Sequence, residues 1–205
     1  MSEVKSTYRT LTDLSTAIFK EKGSKFIGFA VACYTEEEAK KYLDQWRKEH
    51  FQSRHLCYAY RFGVDQSIFR SNDDGEPTNS AGAPILGQIQ SFDLSNVLIG
   101  VIRYFGGTKL GVGGLIQAYR TAAKDAILEG EIIELEVFEW VKLSFEYAEM
   151  PSVMQLIKQH HLLVKDPIFE NDCLLITNLP LRNSGFLKEE LAKIENLTFE
   201  ILGIY

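Results

Sequence analysis

The stretch Asn96-Val-Leu-Ile-Gly-Val-Ile-Arg-Tyr-Phe-Gly-Gly-Thr-Lys-Leu-Gly-Val-Gly-Gly114 joins three elements in nineteen residues. Its first seven residues are uncharged and rich in β-branched side chains, with the length of a buried strand. Gly106, Gly107, Gly111, Gly113 and Gly114 then place five glycines in nine positions. From Gly113 onward Leu115, Ile116, Tyr119, Ala123 and Ile127 recur at helical spacing, which predicts a helix to Leu128. A strand feeding a glycine-rich loop that opens a helix is therefore the central unit of the chain.

That loop has two readings. Free N–H groups and the dipole at a helix N-terminus favour an anion, and glycines let a ligand come close. Arg103, Lys109 and Arg120 can add charge. Yet Lys109 precedes Gly111 and is followed by Leu110, so the Gly-Lys-Ser/Thr of a P-loop is absent, and the dinucleotide fingerprint fails too. The other reading is a tight strand-to-helix turn that needs glycine for geometry alone.

A second loop lies upstream, Ser71-Asn-Asp-Asp-Gly-Glu-Pro-Thr-Asn-Ser-Ala-Gly-Ala-Pro84. Asp73, Asp74 and Glu76 form a possible second polar site, and clustered carboxylates can hold a divalent metal. The calcium-loop template fails, because counting from Gly75 puts Arg70 at its first position and Ala81 at its last. A turn in which Asn and Asp side chains bond nearby N–H groups accounts for Asn72–Gly75, so no metal is expected. Asn79-Ser-Ala-Gly82 opens the next helix, expected from Ser80 as cap to Gln90 with Ile85, Leu86 and Ile89 as its apolar face.

Further outward, Tyr8–Thr12, Thr16–Phe19 and Lys25–Cys33 read as strands, with Lys22-Gly-Ser24 as the turn between the last two. Thr35 followed by Glu36, Glu37 and Glu38 is a helix start, and Ala39, Leu43 and Trp46 continue the helix to about His50. Leu56–Tyr60 is the next strand. His55 and Cys57 share its face, which leaves a Cys–His pair geometrically open, but the apolar flanks of Cys57 fit a buried thiol. Arg54, His55, Tyr58 and Arg61 with Arg103 and Tyr104 interleave cations and aromatics. That mixture serves single-stranded RNA, by stacking and phosphate pairing, and equally a sheet with one buried face.

Past Glu134–Val137 the pattern turns regular. Strands at 138–147, 162–169, 173–179 and 197–204 alternate with helices at 150–160 and 183–194. This is the β-α-β-β-α-β order of a ferredoxin-like domain. The fold class is therefore α+β, with domains at 1–135 and 136–205. Net charge is -6. Residues 1–136 carry 16 Lys and Arg against 18 Asp and Glu, and residues 137–205 carry 6 against 10. The acidic balance argues against nucleic-acid binding through the whole surface and suits a basic protein partner for the C-terminal domain. Apolar runs fall short of the ~20 residues of a membrane helix, and no secretory leader is visible. Three scattered cysteines read as reduced, buried thiols, so a cytoplasmic location without a membrane is expected.

These same segments resemble the YigZ/IMPACT family: Gly23-Ser-Lys-Phe-Ile27, His55-Leu-Cys-Tyr-Ala-Tyr-Arg61, Ser71-Asn-Asp-Asp-Gly-Glu-Pro77, Ala81-Gly-Ala-Pro-Ile85, Val101-Ile-Arg-Tyr-Phe-Gly-Gly-Thr-Lys-Leu-Gly111 and Gly113-Gly-Leu-Ile-Gln-Ala-Tyr119. The resemblance implies an N-terminal α/β sandwich similar to domain four of elongation factor G and a C-terminal domain similar to its fifth. It also implies a link to translation or RNA. Eukaryotic relatives bind the activator of a stress kinase through appended domains without counterpart in this sequence, so that partner does not carry over.

The expectation is a non-enzymatic translation-associated regulator, with no catalytic residue and no cofactor. It would bind ribosomal or other structured RNA through Arg54, His55, Tyr58, Arg61, Arg103, Tyr104, Gly106, Gly107, Lys109, Gly111, Gly113, Gly114 and Arg120. A phosphate- or nucleotide-binding protein or enzyme using loop 106–114, and a protein-interaction module, are the alternatives.

Overall fold

In the computed structural model, which describes residues 5–205, the chain is α+β and divides into two units. The first spans residues 8–135, and the second takes residues 136–205 together with 5–7.

The first unit runs β1 (Thr7–Leu11), β2 (Ser15–Glu21), β3 (Ser24–Ala32), α1 (Glu36–Glu49), β4 (His55–Phe62), β5 (Ile68–Asn72), α2 (Gly82–Ser91), β6 (Val97–Tyr104), α3 (Gly111–Leu128) and β7 (Ile132–Glu136). Five strands pair antiparallel in the order β2-β3-β6-β4-β5, and β1 pairs separately with β7. Strand alternation divides the sheet between two cores. Phe26, Ala30, Cys57, Ala59, Val97, Ile99 and Val101 face α2 and α3. Ile27, Phe29, Leu56, Tyr60, Leu98 and Ile102 face α1, where the fully buried Trp46 stacks on Phe29 at 4.8 Å.

Two strands went unread in the sequence. β5 is exposed along most of its length, so no apolar alternation marks it, and it forms because β4 offers a free edge to pair with. β7 carries Ile132, Ile133 and Leu135 but is only five residues long, and its place is set by β1. The helix expected to be capped by Ser80 starts at Gly82 instead, because Ser80 Oγ donates to the Pro77 carbonyl and the cap comes from elsewhere.

The second unit comprises β8 (Phe138–Glu146), α4 (Met150–Gln159), β9 (Val164–Ile168), β10 (Asp172–Pro180), α5 (Ser184–Leu191) and β11 (Thr198–Ile204). Its antiparallel sheet has the order β11-β8-β10-β9, which is the split arrangement of a ferredoxin-like domain. Val141, Leu143, Phe145, Cys173, Leu175 and Leu179 meet Val153, Ile157, Leu187 and Leu191 of the two helices in one core. No helix among the described residues is long and apolar enough to cross a membrane.

Candidate nucleic-acid interface

Both charged loops leave the same end of the five-stranded sheet, where β5 and β6 finish and β3 and β4 begin. The acidic loop is closed in on itself. Asp73 Oδ1 accepts from the N–H groups of Ala81 (2.9 Å) and Gly82 (2.8 Å), and its Oδ2 accepts from Asn79 N–H (2.9 Å). Asp73 is thus the N-terminal cap of α2, reaching across its loop, and the N–H groups of Asn79, Ala81 and Gly82 already hold this carboxylate, while that of Ser80 donates to the Pro77 carbonyl. Asp74 Oδ2 accepts from Leu56 N–H at 2.7 Å and from Arg47 at 3.1 Å. Among the described residues no cluster of metal-ligating side chains gathers.

Glu76 is more enclosed than Asp74. Its side chain is only 4% exposed, and its Oε1 accepts from Arg103 Nη1 at 2.7 Å and from Tyr119 Oη at 2.8 Å. Burial foremost, and then the neighbouring Cys57, pushes the Tyr119 hydroxyl well above its ordinary pKa and keeps it a donor. Arg103 is itself buried, with its guanidinium 5.6 Å from the Phe26 ring and 5.5 Å from that of Phe105, and with a buried Nε lacking a partner. Glu76, Arg103 and Tyr119 therefore form a bolt joining the acidic loop to β6 and α3. Arg103 was expected to face phosphate and is instead turned inward.

Arg61 is likewise buried, donating from Nε to the Leu94 carbonyl at 2.8 Å and from Nη2 to Asp93 at 3.2 Å. Burial draws its pKa down, against the opposing pull of Asp93. His55 sits directly opposite Arg103 in the sheet, with Nδ1 2.8 Å from the Asp74 carbonyl. A carbonyl only accepts, so the proton lies on Nδ1 and Nε2 is the remaining polar atom of the ring. Cys57 is fully buried, donates to the Asp73 carbonyl at 3.0 Å, and has its pKa raised chiefly by burial. It is a structural thiol rather than a nucleophile. All three cysteines are free and buried.

The glycine loop is open. Gly106 packs against the β2–β3 turn so closely that a Cβ there would lie 1.9 Å from Gly23 C, and Gly106 N–H donates to Ser24 Oγ. Gly107 and Gly111 have φ of +87° and +73°, conformations that side-chain-bearing residues resist. Gly113 and Gly114 lie in the first turn of α3, whose N-terminus receives no side-chain cap. Lys109 is exposed within the loop, and Arg120 is exposed two turns further along α3.

Alternation also separates residues that sequence had grouped. Arg103 and His55 point toward α2 and α3, whereas Tyr104 and Tyr58 point toward α1. Tyr104 bonds His50 Nδ1 through its hydroxyl at 2.9 Å, and Tyr58 stacks with Tyr60. The register then adds Lys20 and Lys25, which sequence missed, to Tyr104 and Arg54, which it named. Lys20 pairs with Lys25, Lys25 with Tyr104, and Arg54 immediately precedes His55, the partner of Arg103. One row across the end of the sheet thus reads Lys20, Lys25, Tyr104, with Arg54 just before the start of β4. Lys25 Nζ lies 6.0 Å from the Tyr104 ring centre. Phe105, 54% exposed, follows Tyr104 in the glycine loop, and Phe51, 77% exposed, follows His50. The hairpin turn at Lys22–Gly23 was the available signal, since it makes Lys20 and Lys25 cross-strand partners.

Comparison with known proteins finds relatives of this chain. The Impact N-terminal domain matches residues 22–127. An IMPACT family member of Thermus thermophilus is 34% identical over 79% of this chain and 87% of its own length. IMPACT family member YigZ of Escherichia coli (strain K12) is 28% identical over 92% and 94%. A crystal structure described as that of a hypothetical protein covers 97% of this chain and 98% of its own, at 26% identity and a TM-score of 0.76.

Proposed function

This chain belongs to the IMPACT family, and from that premise we propose that it is a non-enzymatic, translation-associated regulator that contacts structured RNA, such as that of the ribosome, through the glycine-loop end of its first unit. The observation that carries the reading is the alignment of Lys20, Lys25 and Tyr104 at one end of the sheet, with Arg54 just before β4 and with Phe51, Phe105 and Lys109 exposed in the segments that leave that end. Cations on a rigid sheet end bind phosphates without sequence preference, and exposed aromatic faces stack on unpaired bases. The site is local, so a net charge of -6 does not oppose it.

The test is co-sedimentation with ribosomes at low and high salt, comparing the wild type with the triple variant Lys25→Ala, Arg54→Ala, Lys109→Ala. Salt-sensitive association that the triple variant loses is the expected result. Association indifferent to all three substitutions, or none at low salt, would overturn the reading. Arg103 is unsuitable as a probe, because its loss breaks the bolt to Glu76 and Tyr119 rather than a surface contact.

A second reading rests on the uncapped N-terminus of α3 beside Lys109, which suits a single phosphate. A rise in melting temperature with nucleotide and magnesium, abolished in Lys109→Ala, would favour it over RNA.

A further inference from the structure

Arg103 is turned inward, yet it acts on the surface through Phe105. Glu76 holds its guanidinium at Nη1, and the Tyr119 hydroxyl donates to the same carboxylate oxygen. The guanidinium lies over two rings, Phe26 at 5.6 Å and Phe105 at 5.5 Å. Phe26 is fully buried and meets Tyr119 edge-on at 5.2 Å. Phe105 is the outermost layer of this stack, with a fixed planar cation behind it and 54% of its surface open. Phe51 and Phe69 are also exposed, but among the described residues no ring or cation backs either of them. The register then surrounds Phe105 with cations. Lys25 is the cross-strand partner of Tyr104, Arg54 stands just before β4, whose first residue pairs with Arg103, and Lys109 lies four residues on in the same loop. Among the described residues none of these three makes an ion pair, whereas Asp73, Asp74 and Glu76 are all turned to internal partners.

A held, flat apolar face among unpaired cations selects a ligand that is planar and anionic at once. An acidic peptide answers the cations and leaves the ring unmatched. Duplex RNA answers the cations too, but its base faces are stacked inside the helix. A single strand offers both, a phosphate on each nucleotide and a base free to stack. We infer, resting on the RNA reading, that Phe105 is the stacking platform for an unpaired base, so that the glycine-loop end takes single-stranded segments in preference to duplex. In a structured RNA the contact falls on a loop or a bulge. Arg103 and Glu76 are positioning residues that hold the platform ready, which reduces the ordering that binding must impose.

The probe is a fluorescein-labelled RNA without self-complementarity, about 12 nucleotides long, on the scale of single-strand sites. The full chain is titrated against it, and against the same strand annealed to its complement, with anisotropy as the readout at several salt concentrations. Phe105→Ala should weaken binding of the single strand on the order of 10-fold, the worth of one stacked base. It should leave duplex binding and the salt slope unchanged, because no charge is lost. Phe105→Leu keeps the apolar bulk without the flat face and should behave as Phe105→Ala does, while Phe105→Trp should bind as tightly as the wild type. Phe69→Ala removes a ring of similar exposure near the opposite end of the sheet and should change nothing. Equal weakening of both RNAs by Phe105→Ala, or full single-strand affinity in Phe105→Ala or Phe105→Leu, would overturn the platform and leave the RNA reading standing. Failure of the wild type to bind either RNA at low salt would remove both.

Discussion

Loops 71–84 and 105–114 leave the same end of one sheet, and they differ in where their charge goes. In the first, Asp73 faces three backbone N–H groups, Asp74 faces Leu56 and Arg47, and Glu76 faces Arg103 and Tyr119. In the second, Lys109 and Phe105 stand exposed and the helix start behind them is uncapped. A charged loop is thus a scaffold when its groups have internal partners and a contact surface when they do not. The acidic loop holds the glycine loop's foundations, through the Glu76–Arg103 bolt, so that the glycine loop can stay open.

That contrast is most severely tested at the bolt. Glu76→Ala leaves the Arg103 guanidinium buried and unpaired, and breaking such a pair costs about 3–5 kcal/mol. Urea denaturation should show it, and a loss below about 1 kcal/mol would remove the bolt from the account. Gly106→Ala comes next. Its Cβ meets the Gly23 backbone, which cannot yield as a flexible side chain could, so the cost should be about 1–3 kcal/mol, as for other overpacking. Asp73→Ala removes the remote cap of α2, for roughly 2 kcal/mol at the upper end of capping losses. It should also let a thiol reagent reach Cys57, which the native protein shields.

Smaller effects lie in the open loop. A methyl group at Gly113 meets nothing within 4 Å, so Gly113→Ala should stabilise α3 by up to about 1 kcal/mol. The double variant Arg54→Ala, Lys109→Ala should leave the urea midpoint where it is while lowering the salt slope of RNA binding by about 2. A shifted midpoint would mean that these cations belong to the scaffold after all.

Much of this was legible along the chain. The alternation and helical spacing in residues 137–205 gave the ferredoxin-like order, because each of its elements buries one face and so carries a periodic apolar signal. The segment 96–114 read as strand, loop and helix for the same reason. β5 was illegible, since an exposed strand whose formation depends on pairing at an edge leaves no buried face to read, and β7, though it carries Ile132, Ile133 and Leu135, is too short to show a period. The helix start at Gly82 was misplaced because its cap is Asp73, nine residues away.

Within the candidate site, residue types alone pointed to Arg54, Tyr104, Lys109 and the glycines, but they also pointed to Arg61 and Arg103, which are buried. Sequence determines which side chains carry charge, which strands have an apolar face and where glycine frees the backbone, because those are properties of single residues and near neighbours. Only the tertiary structure decides which cations are spent on carboxylates, which face of the sheet each aromatic occupies, and that Lys20 and Lys25 align with Tyr104. Those outcomes depend on cross-strand register and on desolvation by distant segments, and neither is encoded at any one position.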